Sequence, residues 1–308
     1  MNLADIAKVC ASEEEAIKWV ESIVWPSGEP TCPHCGTVDR SYRLQGKTSR
    51  PGLWKCGACR QQFTVKVGTI FEDSHIELRK WLLAIQLMCA SKKGISASQI
   101  SRELGITYKS AWHLCHRIRL AMTKEPLAGK LGSEGQIVEV DETYIGGKRG
   151  NNKRRKGREW RAVRKHMAVM TLIERGGDVR TFHVRNTKRG TMQTVVLPNV
   201  AETAHIMTDE HKSYPGLADK FASHDTIQHK REYVRGIIHV NFAESYHSLL
   251  KRGIFGTFHH VSAKHLSRYL REFEFRWNSR KATDGARMIE AVVGAKGKRL
   301  MYEKPANL

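Results

Sequence analysis

Ile137-Val-Glu-Val-Asp-Glu-Thr-Tyr-Ile145 has the alternation of a β-strand, with β-branched and apolar side chains interleaved with polar ones over nine positions. Asp141 stands in the middle of it. An ionised carboxylate among β-branched neighbours is costly unless it is paired or holds a metal. Downstream, 166–174 reads as a second, nearly continuous apolar strand. Arg175-Gly-Gly-Asp178 reads as a hairpin turn and 179–185 as a third strand. A helix is expected over 191–200, started by Gly190 and ended by Pro198. A short buried strand over 204–208, a helical segment over 213–222, an edge strand over 226–228 and a helix over 241–252 follow. Three strands in a meander, then alternating helix and strand, predict a mixed sheet flanked by helices.

Two further acids fall at chemically suggestive places. Asp209 directly follows the apolar strand His205-Ile-Met-Thr208, and Glu244 lies on the 241–252 helix. Lys251 comes seven residues later and returns to the same helix face, about 10 Å further along. Carboxylates at two neighbouring strand ends and one on a covering helix can converge on a pair of Mg²⁺ ions, whose oxygen ligands they supply. Such pairs drive in-line phosphoryl transfer. In a chain with 31 acids, any one of the three has an ordinary structural explanation. Their order, the elements that carry them and the Glu-x₆-Lys spacing give the set its weight. Glu139 shares a strand face with Asp141, and Glu142 and Glu210 are immediate neighbours, placed to support the ligands or replace one.

The N-terminal part has a different chemistry. Cys32-Pro-His-Cys35 and Cys56-Gly-Ala-Cys59 are two CxxC pairs twenty residues apart. In a reducing compartment this spacing predicts one structural, tetrahedral Zn²⁺ per chain, not disulfides. Trp54, Phe63 and Val65 would form its apolar shell, with 63–67 as a closing strand. Beyond it, Ser12, Ser74 and Ser96 each stand three residues before Glu or Gln. These capping boxes open helices over about 12–24, from 74 and over 96–104. Gly105-Ile-Thr107 is a tight turn before a helix from Thr107 to about Met122. Three helices with a Gly-containing turn before the last fit a helix-turn-helix pattern. With Ala111, Leu114, Ile118 and Ala121 turned to the core, Lys109, His113, His116 and Arg117 are expected on the outer side, where a DNA major groove would meet them.

Charge points to the same partner. The 308 residues include 52 Lys and Arg against 31 Asp and Glu, a net +21 that implies a polyanion. Ten of those cations lie in 148–165, directly after the Asp141 strand, and Lys153, Arg154, Arg155 and Lys156 are its densest part. With 40% apolar residues the chain can build real cores. Its longest apolar run, Trp81 to Ala90, is broken by Gln86 and is too short for a bilayer, so no membrane partner is expected. The N-terminus lacks a basic segment with an apolar core behind it, and a cytoplasmic protein, nucleoid-associated when on DNA, is expected.

Several long stretches are specific: the two CxxC pairs, Val138 to Gly147, Met207-Thr-Asp-Glu210, His239-Val-Asn-Phe-Ala-Glu-Ser245 and Ser248 to Ser262. On these, residues 16 to 280 resemble bacterial insertion-sequence transposases of the Merlin-related group, in which a zinc ribbon precedes a DDE transposase domain. The resemblance implies an RNase H-like core, two catalytic Mg²⁺ or Mn²⁺ ions, and DNA cleavage followed by 3′-OH strand transfer. It also implies double-stranded DNA partners (terminal repeats and target) and a homo-oligomer in the synaptic complex. Asp141 and Asp209 match the two catalytic aspartates of the family. Glu244 is favoured as the third ligand, because a carboxylate binds Mg²⁺ better than an amide; Asn241, one turn earlier, is the rival, since some relatives use an asparagine near this point.

The expected fold is therefore multidomain α+β: an N-terminal helical segment (1–29), a zinc ribbon (30–70), a helix-turn-helix-like domain (71–124), an RNase H-like mixed α/β catalytic domain (125–280) and a C-terminal tail (281–308). Two alternatives stay open. One is a nuclease or resolvase on the same fold, and the other a non-catalytic zinc and helix-turn-helix regulator with a decayed core.

Overall fold

The computed structural model describes residues 1–46, 49–124, 129–146, 166–210, 214, 216–228, 232 and 234–301. The basic run at 148–165, with Lys153, Arg154, Arg155 and Lys156, lies outside them. The chain forms two compact units: Met1–Lys124 with Ser279–Leu308, and Glu125–Asn278. Among the described residues no helix is long and apolar enough to cross a membrane.

The first unit begins with α1 (Leu3–Val9) and α2 (Glu13–Val24), continues through an antiparallel ribbon of β1 (Ser41–Arg43), β2 (Trp54–Cys56) and β3 (Gln62–Phe63), and then forms α3 (Leu78–Ala90), α4 (Ala97–Leu104) and α5 (Tyr108–Ala121). Ser12, Ser96 and Thr107 cap α2, α4 and α5, each accepting the N–H three residues on. Gly105 ends α4 in the left-handed conformation, at φ 60° and ψ 43°, which costs glycine little and any side chain more.

Two local expectations fail here for reasons visible in the packing. The Ser74 box does not form: its hydroxyl is engaged by Ile76 N–H and Trp81 Nε1, and α3 starts only at Leu78. Glu13 of α2 caps α3 instead, accepting the Leu78 and Arg79 N–H groups at 2.8 and 3.1 Å from 65 residues away. The expected 63–67 strand stops at Phe63, and the backbone turns back with Val67 N–H on the Thr64 carbonyl.

The second unit is built on β4 (Ile137–Ile145), β5 (Met167–Glu174), β6 (Val179–Val184), α6 (Arg189–Asn199), β7 (His205–Asp209), β8 (Ser223–Ile227), α7 (Asn241–Gly253) and α8 (Ala263–Asn278). The strand order is β6-β5-β4-β7-β8. β4 pairs antiparallel with β5, and β5 with β6, whereas β4, β7 and β8 run parallel. This meander followed by parallel additions on the other side of β4 is the RNase H-like sheet. Alternate side chains feed two cores. Val138, Val140, Met170, Leu172 and Ile206 pack with Met192 and Val196 of α6. Ile145, Val169, Ile173 and Val179 pack with Tyr246 and Leu250 of α7 and Phe273 of α8. Within the expected 213–222 helix, the described residues contain only a single 3₁₀ turn, Ala218–Lys220.

α9 (Asp284–Val293) returns to the first unit. It packs on α2, α3 and α5, and Arg287 donates to the Cys89 carbonyl at 3.2 Å. Residues 281–308, expected as a tail, thus supply part of a core: Thr283 caps the helix, and Met288, Ala291 and Val292 are buried.

Candidate active site and metal ligands

The two CxxC pairs are built alike. Gly36 N–H bonds the Cys32 carbonyl and Arg60 N–H the Cys56 carbonyl, while Cys32 N–H reaches Thr37 O and Cys56 N–H reaches Gln61 O. Gly36 and Arg60, each just past its pair, both take positive φ, 73° and 60°. The matched turns aim four sulfurs at one point. Cys32 and Cys59 Sγ are 3.7 Å apart, as are Cys35 and Cys56 Sγ. All four lie within 4.8 Å of one another. A disulfide needs about 2.05 Å. A tetrahedron with Zn–S bonds of about 2.3 Å has edges of about 3.8 Å. The donor set therefore fits Zn²⁺ in both chemistry and spacing. The Thr37 hydroxyl and backbone hold the Cys35 thiol down at about 6, which favours the thiolate.

In the second unit, β4 outruns its parallel neighbour. The last registered pair of β4 and β7 is Val140 with Thr208, so Asp141 and Asp209 come next on adjacent strands. Ligand oxygens of Asp141, Glu142 and Asp209 lie within 4.8 Å of one another. Strand alternation turns Asp141 and Glu142 to opposite faces of β4, yet a carboxylate oxygen of Glu142 lies with those of the two aspartates. Three clustered carboxylates repel one another unless a cation sits among them. Hard oxygen donors of this kind suit Mg²⁺ or Mn²⁺.

Each of the two β4 acids has a partner that orients it. Asp141 Oδ1 accepts its neighbour's N–H at 2.8 Å, and Oδ2 lies 3.3 Å from His247 Nδ1 on α7. His247 Nε2 is 2.8 Å from the Thr171 hydroxyl, and Thr171 is the β5 residue registered with Asp141. Glu142 accepts the Tyr214 hydroxyl. Burial first, then the charges of Glu142, Asp141 and Asp209, push the Tyr214 phenol well above its usual range, so it stays a donor.

Glu139, two residues before Asp141, is fully buried and has a different task. One oxygen accepts the Arg175 Nε–H at 2.8 Å and lies 3.2 Å from His239 Nδ1; the other caps α7 through Phe242 and Ala243 N–H at 2.9 and 3.0 Å. Two residues of strand rise about 6.8 Å. Four residues of helix, Ala243 to His247, rise about 6 Å. The Glu139 cap and the Asp141–His247 contact are therefore in phase, and α7 runs parallel to β4.

The remaining sequence-predicted residues are dispersed. Among the described residues Glu244 is not part of the carboxylate cluster; it lies on the exposed side of α7, as does Asn241, and Lys251 is half-buried. Glu210 is exposed and outside the cluster. On α5, Lys109 is exposed and His113 half-buried. Arg117 and His116, expected outward, are buried. The Arg117 guanidinium sits 5.3 Å from the Trp81 ring and donates to the Glu72 carbonyl, and burial lowers its pKa. Cys115 to Arg119 are buried without a break, because α3 and α9 enclose the second half of α5. The sequence reading did not single out His247 or Tyr214. The signal for His247 was present: it shares the apolar stripe of Ala243, Tyr246 and Leu250. Tyr214, a lone aromatic in a polar stretch, carried none.

Known proteins share these parts. An ISXO2-like transposase domain matches residues 131–278 and a transposase zinc-ribbon domain matches residues 11–62. A relative from Halobacterium salinarum, an uncharacterized protein in transposable element ISH50, is 30% identical over 285 residues, 87% of this chain and 92% of its own length. A chain from the crystal structure of a pre-cleavage Mos1 transpososome aligns over 70% of this chain and 79% of its own, at 13% identity and a TM-score of 0.26, too loosely to carry weight. With the zinc ribbon and the transposase domain both matched and a relative aligned along most of its length, the chain belongs to the insertion-sequence transposases that carry an ISXO2-like transposase domain behind a zinc ribbon.

Proposed function

We propose that this protein binds the terminal repeats of its insertion sequence, cleaves the element ends, and joins the resulting 3′-OH to target DNA. The observation that carries the reading is the convergence of Asp141, Glu142 and Asp209 where β7 ends beside the middle of β4 in an RNase H-like sheet, inside the transposase domain. Asp141 and Asp209 would hold two Mg²⁺ or Mn²⁺ ions, with the third position filled by Glu244 of α7, by its rival Asn241, or by Glu142. When bound, such ions activate the attacking oxygen and neutralise charge on the leaving one. In the first step water adds to phosphorus, the P–O3′ bond breaks, and the 3′ oxygen leaves as a hydroxyl. In the second, that hydroxyl attacks a target phosphodiester and displaces its 3′ oxygen. His247 and Tyr214 hold the acids in place. Lys251 would meet a phosphate beside the cut.

Binding falls to other surfaces. The exposed first turn of α5, with Lys109 and His113, would present itself to a major groove. Lys153, Arg154, Arg155 and Lys156 would neutralise phosphates without regard to sequence. The zinc ribbon would share in reading the terminal repeats, and a homo-oligomer would bring two ends together.

The test is a strand-transfer assay. Full-length protein, Mg²⁺ and duplexes carrying the element ends should yield nicked DNA and then products covalently joined to a second duplex. Cleavage without joining would support the nuclease alternative. Binding with neither product would support the regulator.

A further inference from the structure

α7 does not end in an ordinary cap. It passes into a π-helical turn, Ile254–Phe258, and then into an i→i+2 turn at His259, where φ is 58°, ψ is −43° and the His260 N–H reaches the Phe258 carbonyl at 2.6 Å. π-Turns and such tight positive-φ turns are uncommon and cost backbone energy. Here they separate two phenylalanines three residues apart, which an α-helix would keep as near neighbours on one side. Phe258 is held inward, with its ring 4.8 Å from Tyr269 and 6.4 Å from Phe273, both edge-on. Phe255 is turned out, 49% exposed, and the His259 ring lies 3.3 Å from its carbonyl oxygen.

The direction of Phe255 follows from helix geometry. Glu244, Ser248, Lys251 and Phe255 are spaced i, i+4, i+7 and i+11, so one line along α7, carried into the first residues of the turn, joins the candidate third acid, the candidate phosphate contact and the exposed ring. Because α7 runs parallel to β4, Phe255 lies on the side toward which β4 runs past Asp141, about 12 Å beyond His247 and about 6 Å beyond Lys251. The surroundings are polar and basic: Lys251 and Arg252 precede the turn, and exposed Lys264 follows it, with the exposed imidazoles of His259 and His260 between. A single exposed apolar side chain needs no explanation. A ring left facing outward at the start of a costly backbone turn, beside Lys251 and Arg252 and in line with Glu244, does.

We propose that Phe255 is a stacking platform for an unpaired DNA base, one nucleotide step from the phosphate that Lys251 contacts. The inference rests on the transposase reading above and adds a binding element to it. A base stacked within a duplex shows the protein only its edge, so a base that covers the π-face of Phe255 is one that has left the stack. Base–aromatic stacking tolerates any sequence, as a step common to all substrates requires.

The test uses the full chain and two probes of arbitrary sequence: a blunt duplex, and a forked duplex with 2-aminopurine as its first unpaired base. The wild type should bind the fork roughly tenfold more tightly than the blunt duplex and quench the 2-aminopurine on stacking. Phe255→Ala should lose both the gain and the quenching and keep blunt-duplex affinity and thermal stability. Phe255→Leu, which keeps the apolar bulk without a π-face, should behave like Phe255→Ala, and Phe255→Trp should restore both signals. Equal affinity of the wild type for the two probes, or a Phe255→Ala protein that still prefers and quenches the fork, overturns the proposal alone. A wild type that binds neither probe overturns the DNA reading with it. Self-association lost in Phe255→Ala, with fork binding unchanged, would assign the ring to a second copy of the chain and overturn the proposal.

Discussion

His247 Nδ1 lies 3.3 Å from Asp141 Oδ2, while the other ring nitrogen meets Thr171, the residue paired with Asp141 across the sheet. The histidine thereby ties the acid to the covering helix and to the neighbouring strand at once. Removing such an orienting partner typically costs 10–100-fold in metal affinity or activity. His247→Ala should weaken Mn²⁺ binding, read by calorimetry, by about that factor, and leave DNA affinity unchanged. His247→Asn, whose amide can still donate, should recover part of the loss. Unaltered Mn²⁺ binding in His247→Ala would make the contact incidental.

The zinc site predicts one Zn²⁺ per chain by metal analysis. Cys56→Ser should lose it and melt the ribbon, because the binding energy of a structural Zn²⁺ is folding energy. Stoichiometric zinc in a Cys32/Cys56 double variant would contradict the assignment.

Lys109 and Arg117 share a helix and should behave oppositely. Lys109→Ala should leave thermal stability unchanged, weaken DNA binding, and reduce the salt dependence by nearly one unit of slope for its phosphate contact. Arg117→Ala removes a buried cation–π contact and a hydrogen bond, and should cost about 2 kcal/mol of stability in a melting experiment. The reverse pattern would restore the outward-facing reading of Arg117.

The third metal position can be decided between Glu142, inside the carboxylate cluster, and Glu244, on the line of Lys251. If Glu244 takes it, Glu244→Gln should abolish cleavage in Mg²⁺, while Glu142→Gln and Asn241→Ala should keep measurable activity. Loss confined to Glu142→Gln would give the place to the strand, and loss confined to Asn241→Ala to the amide.

Local patterns carried much of this architecture and tertiary ones did not. The alternation in Ile137–Ile145, the capping residues Ser12 and Ser96, and the two CxxC pairs declare themselves within a few residues, because each depends on backbone period or turn chemistry. α8 shows the limit. Its Glu272, Glu274 and Arg276 are charged, yet all three are buried. Arg276 pairs with Glu272, and Glu274 is bonded to Thr181 and Arg271. A charge on a helix reads the same in a sequence whether water or a partner satisfies it. Arg117 was misplaced for that reason. Glu13 capping α3 and Glu139 capping α7 join residues far apart in the chain, and no short-range pattern announces them.

The central claim is that the acids in the middle of β4 and at the end of β7 perform the chemistry while other surfaces hold the DNA. Asp209→Ala tests it most directly, with DNA affinity and cleavage measured on the same end-labelled duplex in Mg²⁺. Binding should persist or tighten, since a negative charge beside the DNA is gone, and both cleavage and joining should vanish. Cleavage at the wild-type rate by Asp209→Ala would contradict the account.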